Sequence, residues 1–188
     1  MAVLPIVITG EPVLHTRATE VSAIDDALRQ LVGDMLDTMA AAPGVGLAAP
    51  QVGVDARVFV YDYTDDDDVR WHGVAINPQL LISPPPLGEP DDVDDSEGCL
   101  SVPGERFPLR RSDRAVLRAT DLEGVDFEIE ATGWVARIFQ HEFDHLDGVL
   151  YVDRLVHPHS KAAVKAVRKR SWGVPGQSWL PGRDDLEG

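Results

Sequence analysis

The sequence predicts an α+β fold, in which short antiparallel strands pack around one central helix, with a further N-terminal and a further C-terminal helix. Three observations support this prediction: long segments with apolar residues at helical spacing, short apolar runs typical of strands, and turn-forming residues between them. A length of 188 residues suggests one domain with a sizeable core. We expect this domain to span residues 1–171, followed by a tail containing Trp, Pro and Gly over residues 172–188.

Three helices are predicted from apolar periodicity and end signals. The first begins near Ser22, a residue type that caps helix N-termini, and ends before Pro43. Its apolar stripe consists of Ile24, Leu28, Leu31, Met35 and Met39. The central helix is predicted over residues 132–147, with Gly148 in the position of a C-terminal glycine cap. The last helix is predicted over residues 160–170.

Five short strands are predicted from runs of β-branched and aromatic residues. They cover residues 1–8, 54–61, 74–76, 116–119 and 125–129, the last two joined by a turn at Glu123-Gly124. Two acidic stretches, residues 62–70 and 83–95, are expected to be surface loops.

The net charge of −15 is unevenly distributed along the chain. Residues 1–153 contain 29 acids, 10 arginines and no lysine, whereas residues 154–183 contain seven Lys/Arg and no acid. The acidic body argues against general nucleic-acid binding, and DNA is not an expected partner. The sequence has no apolar run that could span a membrane and no basic start typical of a signal peptide. Because one cysteine cannot form an internal disulfide, we expect a cytoplasmic protein.

The central helix carries the sequence HEFDH, from His141 to His145. Residues four apart lie on one face of a helix, so the two histidines can bind the same metal ion. Glu142 would lie beside a metal-bound water and act as acid/base. Trp134 and Ile138 share the face of the histidines. The sequence therefore predicts a metal-binding helix at the centre of the fold, and a metal-dependent hydrolase.

Two histidines do not complete a metal site, so the third ligand has to be found elsewhere. A third histidine six residues after the second is excluded by Tyr151, and a downstream glutamate is excluded because residues 154–183 contain no acid. The remaining candidates are His157, His159 and Cys99, the one cysteine of the chain. We favour Cys99, because a thiolate is a good ligand for zinc or iron.

A glycine-containing segment, GVGLAAPQVG, occupies residues 44–53, between the first helix and a strand. Its small residues would let backbone approach another group closely. A dinucleotide-binding loop is rejected, because it would follow a strand and precede a helix. Taken alone, the segment is best interpreted as a tight helix-to-strand connection, from which Gln51 could place an amide donor into a site.

Three segments together resemble the three motifs of peptide deformylases, in the same order and at similar spacing. They are GVGLAAPQ at residues 44–51, EGCLS at 97–101 and QHEFDHLDG at 140–148. The resemblance covers roughly residues 3–154, and the tail from residue 172 to 182 is similar to that of actinobacterial members. It implies an enzyme that removes the N-formyl group from the N-terminal methionine of nascent polypeptides and releases formate.

The resemblance also implies roles for individual residues. Cys99, His141 and His145 would hold one divalent metal ion, and Glu142 would be the catalytic acid/base. Fe²⁺ is the usual native metal of the family, and Zn²⁺ or Ni²⁺ could replace it.

Further residues are implied around the substrate. Gln51 and the backbone N–H of Leu100 would hold the formyl oxygen, and Gly46 would bring backbone close to the substrate. Candidate walls for a methionine pocket are Val45, Trp134 and Ile138, which could equally be ordinary core residues.

The basic helix over residues 160–170 carries Lys161, Lys165, Arg168, Lys169 and Arg170. Ribosomal RNA is a polyanion, so this helix could guide the enzyme to the ribosome. It could equally be a solvated helix whose cations pair with the acidic body or with its own dipole.

Two other functions remain open at this point. A metallopeptidase or amidase would use the same chemistry on another bond. A non-catalytic metal-binding or ribosome-docking module would not need Glu142. A structural zinc site would have four protein ligands, and the sequence offers only three good candidates.

Overall fold

The computed structural model describes residues 2–184 and residue 186 of the chain. Its helices are α1 (Asp26–Ala41), α2 (Gly133–Leu146) and α3 (His159–Lys169). All three predicted helices are confirmed, but the predicted start of the first is wrong. Asp25, not Ser22, is the N-cap, because its carboxylate accepts the Leu28 backbone N–H at 2.9 Å. A carboxylate at this position also interacts favourably with the helix dipole.

The strands form one five-stranded sheet and two small ones. They are β1 (Ile6–Val7), β2 (Gly46–Ala48), β3 (Val58–Thr64), β4 (Arg70–Ile82), β5 (Ser96–Gly98), β6 (Arg106–Pro108), β7 (Arg114–Thr120), β8 (Asp126–Thr132) and β9 (Ser178–Trp179). The large sheet has the order β2-β3-β4-β7-β8, while β1 pairs with β9 and β5 with β6. All of these pairs are antiparallel, which confirms the predicted α+β fold.

Several predicted boundaries differ from the structure. The short strand predicted at residues 74–76 is part of β4, which is 13 residues long. The loop predicted over residues 62–70 is wrong at both ends, because Asp62 to Thr64 continue β3 and pair with β4 in a hairpin. An ion pair between Asp62 and Arg70 links these two strands at 2.6 Å. Four strands of two or three residues each were not predicted from the sequence, namely β2, β5, β6 and β9.

Strand β3 lies between two helices, and this arrangement builds the core. Val58 and Val60 pack with the buried side chains of α1, whereas Phe59 and Tyr61 pack with Phe139 of α2. Successive strand residues point to opposite faces, so a strand buried on both faces needs a continuous apolar run. The run at residues 58–61 meets this need and holds α2 in the middle of the molecule.

The described part of the predicted tail packs against the beginning of the chain. Strand β9 pairs with β1, and Trp179 is 3% exposed. The division of the chain into a domain of residues 1–171 and a tail stays a prediction. Within the described residues, none of the helices combines the length and apolar character that crossing a membrane requires.

Candidate metal centre and active-site cavity

Helix α2 and the segment after β5 bring together three side chains that could bind a metal ion. His141 and His145 lie one turn apart on α2, and Cys99 directly follows β5. Their ligand atoms all lie within 4.8 Å of one another. The Sγ of Cys99 is 3.2 Å from Nε2 of His145, which is 3.2 Å from Nε2 of His141. Within the described part of the chain, neither His157 nor His159 joins this cluster.

The donor set fits a divalent metal ion. Nε2 of His145 contacts both the thiol and Nε2 of His141. Cys99 and His145 are buried, and the His141 side chain is 11% exposed. One thiolate and two imidazoles suit Zn²⁺ or Fe²⁺, and three protein ligands leave a coordination position open, as catalytic sites require.

The carboxylate of Glu142 is buried beside these ligands. It is 4% exposed, and its Oε2 has no hydrogen-bond partner among the described residues. Burial raises the pKa of Glu142 to about 7, although the charge of His141 opposes this shift. A buried carboxylate without a protein partner for one oxygen is suited to accept and return a proton.

Gly46 lies directly against this carboxylate. A Cβ atom added to Gly46 would be 2.3 Å from Oε1 of Glu142 and 2.8 Å from its Cδ. The absence of a side chain at Gly46 therefore makes room for Glu142.

Gln51 presents its amide to the same centre. It is 1% exposed, and its Oε1 accepts the Ala48 backbone N–H at 2.8 Å. This contact fixes the amide so that Nε2 points to Cys99 Sγ, at 3.8 Å. The 3-10 turn Ala49–Val52 after β2 holds Gln51 in this position, which a simple helix-to-strand connection would not require.

A cavity of about 190 Å³ opens beside the cluster, and Cys99 and His141 line it. The predicted pocket residues all contribute to its wall, namely Val45, Trp134 and Ile138. Gly46, Gln51, Leu100 and Glu142 also line it. The exposure of these walls differs, since Val45 is 37% exposed and Ile138 is 5% exposed.

A buried ion network packed against the cluster of Cys99, His141 and His145 was not predicted from the sequence. Glu97 Oε1 lies 2.7 Å from Nδ1 of His141 and also accepts a hydrogen bond from Nη2 of Arg111 at 2.7 Å. Its Oε2 accepts hydrogen bonds from Nε of Arg111 and from Nη1 of Arg137. The carboxylate thus fixes the imidazole of His141 with Nε2 facing the other ligands.

The same network continues to the other end of α2. Arg111 donates from Nη1 to Oδ2 of Asp144 at 2.6 Å, and Arg154 also contacts this carboxylate. Burial alone would raise the pKa of Glu97, but the charge of Arg111 and the hydrogen bond with His141 lower that pKa well below its usual range. Glu97 is therefore a carboxylate anion in the folded protein.

Weak sequence signals for this network existed. Glu97 and Asp144 lie inside the two motifs that contain the ligands, but only the fold shows that Arg111 joins them. The contacts of Arg137 were not predicted either. Its guanidinium lies 5.2 Å from the Trp134 ring centroid and contacts Asp95.

Comparison with known proteins gives consistent matches along the chain. The family model described as Polypeptide deformylase matches residues 3–161. A peptide deformylase from Rhodococcus opacus is 51% identical over an alignment of 186 residues, which covers 97% of this chain and 95% of that protein. One from Tropheryma whipplei (strain TW08/27) is 49% identical over 193 residues, covering 95% of this chain and 94% of that protein.

Solved structures agree with these matches. The peptide deformylase from Ehrlichia chaffeensis in complex with actinonin has a TM-score of 0.78 and 36% sequence identity, covering 90% of this chain and 98% of that one. The enzyme from Thermus thermophilus has a TM-score of 0.76 and 38% identity, covering 89% and 94%. The family model spans all three motifs and the cluster of Cys99, His141 and His145. The chain therefore belongs to the peptide deformylase family.

Proposed function

We propose that this protein is a peptide deformylase, a metallohydrolase that removes the formyl group from the N-terminal methionine of nascent polypeptides. Water adds to the formyl carbon, the C–N bond breaks, and formate and a free amine are the products. The observation that carries this proposal is the cluster of Cys99, His141 and His145, two members of which line one cavity together with Glu142, in a chain that belongs to this family.

Cys99, His141 and His145 are the proposed ligands of one divalent metal ion. When bound, the metal would acidify a water molecule to a pKa of about 7 and polarise the formyl carbonyl. The proposal is supported by the closeness of the three ligand atoms and by the contact of Glu97 with the outer nitrogen of His141. Such outer contacts orient ligand histidines and raise their basicity.

Glu142 is the proposed acid/base. Its carboxylate would accept a proton from the attacking water and return that proton to the nitrogen of the departing amine. The lack of a hydrogen-bond partner for Oε2 among the described residues supports this role, because the oxygen stays free to bind the proton. Gly46 supports the role indirectly by leaving space for the carboxylate.

Gln51 and the Leu100 backbone N–H are the proposed donors to the formyl oxygen as negative charge develops on it. Gln51 is held for this role by the bond from Ala48, which engages its carbonyl oxygen and leaves the NH₂ group free to face the ligands. Removal of one such donor typically costs about 100- to 1000-fold in rate.

We propose that the methionine side chain of the substrate occupies the part of the cavity lined by Val45, Trp134 and Ile138. The formyl group is small, so recognition has to come from the side chain next to it. An apolar wall beside the ligands suits an unbranched thioether side chain.

Fe²⁺ is the proposed native metal, with Zn²⁺ or Ni²⁺ as substitutes. Zinc binds such sites more tightly than iron, so a purified sample could contain zinc. A thiolate beside Fe²⁺ is open to oxidation of the metal and of sulfur. The Fe²⁺ form should therefore lose activity in air, and undiminished activity after prolonged aeration would contradict iron as the native metal.

We also propose that the enzyme acts in the cytoplasm and that α3 guides it to the ribosome. Lys161, Lys165, Arg168 and Lys169 are all exposed on this helix. Arg170 donates to Glu105 at 3.0 Å. For this one cation, the contact supports the alternative that it pairs with the acidic body of the protein.

Ribosome co-sedimentation tests this contact. A variant with Gln at positions 165, 168, 169 and 170 is compared with the wild type at low and high salt. The wild type should sediment with ribosomes at low salt and be released by high salt, as expected for binding to a polyanion. Equal sedimentation of both proteins, or binding that salt does not change, would remove support for the contact.

The main test of the proposed function is formate release. Purified protein is loaded under anaerobic conditions with Fe²⁺, Ni²⁺ or Zn²⁺ and given a formyl-Met peptide. We expect formate and a free N-terminal methionine, with no cleavage of internal peptide bonds. Cleavage of an internal bond in an unformylated peptide, without formate release, would instead indicate a metallopeptidase.

A further inference from the structure

The C-terminal strand reaches the segment that carries Cys99 and Leu100. The indole Nε1–H of Trp179 donates to the carbonyl oxygen of Leu100 at 2.8 Å, across 79 residues of sequence. Trp179 is 3% exposed, and Leu100 is 7% exposed. A hydrogen bond between two buried groups is retained in the folded state, because neither group can turn to solvent instead.

The hydrogen bond from Trp179 acts on a particular peptide unit. The carbonyl of Leu100 and the N–H of Ser101 belong to the same planar amide. That N–H donates to Sγ of Cys99, at 3.4 Å. One peptide unit is therefore held at its oxygen by Trp179 and at its N–H by the sulfur of a proposed metal ligand.

The position of Trp179 is itself fixed by the fold. Trp179 pairs with Ile6 in the β1–β9 ladder, and Gln177 accepts the Ile8 backbone N–H at 3.0 Å. On the far side of the held peptide unit, the Thr9 backbone N–H donates to the Ser101 carbonyl at 2.8 Å. The two ends of the chain thus enclose the segment from Leu100 to Ser101.

We propose that Trp179 is a positioning residue for the reaction, acting through the Leu100–Ser101 peptide unit. This inference rests on the proposed function. An N–H donor to the carbonyl polarises the amide, and hydrogen bonds linked through a polarised group strengthen each other. The Ser101 N–H then binds the Cys99 sulfur more strongly, and such outer contacts tune a metal site. The same anchor keeps the neighbouring Leu100 N–H aimed at the formyl oxygen.

Trp179→Phe tests this proposal, because it keeps an aromatic ring and removes the N–H donor. It also removes part of the ring volume, a loss that the control variant shares. Trp172→Phe is the matched control in the same tail: Trp172 is partly buried, and its ring is contacted by Arg170 at 5.1 Å. Two properties are measured: kcat and KM for formate release from a formyl-Met peptide, and the sulfur-to-metal charge-transfer absorption band of the Co²⁺-loaded protein.

We expect kcat of Trp179→Phe to fall by about 3- to 10-fold, the effect of losing one neutral hydrogen bond, with KM within about twofold of wild type. The wavelength of the Co²⁺ charge-transfer band should differ from wild type in Trp179→Phe and equal that of wild type in Trp172→Phe. A Trp179→Phe protein with the wild-type kcat and the wild-type band would overturn the proposal. An equal loss of kcat in both variants would also overturn it, since the tail would then act only through general stability.

Failure of the variant to fold and failure of the proposed function can both be distinguished from failure of the positioning role. If Trp179→Phe does not fold, Trp179→Tyr removes the indole N–H in a second way, and failure of both to fold would assign Trp179 to stability and overturn the positioning role. If the wild type releases no formate, the proposed function fails. The Co²⁺ band would still report whether Trp179 acts on the Cys99 sulfur.

Discussion

The charged residues packed beneath α2 and those on the surface of α3 are both dense clusters, but their surroundings are opposite. The side chains of Glu97, Arg111 and Asp144 are only 5–7% exposed, and each contacts at least two partners. On α3, Lys165 and Arg168 are exposed and make no ion pair within the described residues. A buried charge needs hydrogen-bonded partners, so the first cluster fixes geometry, whereas the second is free to meet an external partner.

The largest effect on catalysis is expected at Glu142, a buried carboxylate whose Oε2 has no hydrogen-bond partner among the described residues. Glu142→Ala should lower kcat by about 100- to 10,000-fold while the metal content stays unchanged, because the proposed role of Glu142 is proton transfer and not metal binding. Formate release and metal analysis on one sample provide the measurement. Glu123→Ala, at an exposed turn, is the control and should behave as wild type. Activity of Glu142→Ala within about threefold of wild type would remove it from the mechanism.

The next effect concerns stability. Arg111→Met leaves Glu97 and Asp144 buried without their shared cation, which should lower the free energy of unfolding by about 3–5 kcal/mol. The matched surface change is Arg118→Met, which breaks the pair with Glu128 between side chains 56% and 47% exposed. That change should cost less than about 1 kcal/mol. Denaturant unfolding measures both, and equal values would contradict the distinction between buried and exposed charge.

Gly46→Ala should affect catalysis more than folding. The new Cβ would overlap Oε1 of Glu142 and displace the carboxylate, and a displacement of about 1 Å can cost about 100-fold in rate. Gly73→Ala is the matched control, because its Cβ would meet the Tyr61 hydroxyl at 2.7 Å, outside the cavity. We expect kcat per bound metal to fall only in Gly46→Ala. If the two variants lose the same activity, crowding of Glu142 is not the cause.

The smallest effect is expected on α3. Replacing Lys165, Arg168, Lys169 and Arg170 by Gln should change the free energy of unfolding by less than about 1 kcal/mol and leave kcat within about twofold, because exposed charges contribute little to stability. Thermal unfolding and formate release measure this. A larger loss of stability would mean that these cations support the fold through contacts with the acidic body.

The sequence predicted the parts of the site that are local or carried by a motif. His141, Glu142 and His145 follow from helical spacing, and the helix boundaries of α2 agree with the structure to within one residue. Spacing does not distinguish Cys99 from His157 and His159, and only the chemistry of its thiolate and its motif favours it. Its position beside His145 depends on the fold bringing residues 46 apart in sequence into contact.

The contacts that support the site could not be predicted in this way. Arg111 meets Glu97 and Asp144 across 14 and 33 residues, and Trp179 meets Leu100 across 79. No periodicity relates these positions, so only the chain topology joins them. The wrong N-cap has a simpler reason, because Ser22 and Asp25 are both good caps and only the geometry of the first turn distinguishes them.

We infer that Cys99, His141 and His145 hold the metal at which Glu142 acts, and Cys99→Ala tests this inference most directly. Wild type and Cys99→Ala are loaded anaerobically with the same divalent metal, and bound metal and formate release are measured on each sample. We expect about one metal per chain with formate release for wild type, and loss of both for Cys99→Ala. Binding of the metal by Cys99→Ala with unchanged stoichiometry and affinity would contradict the account.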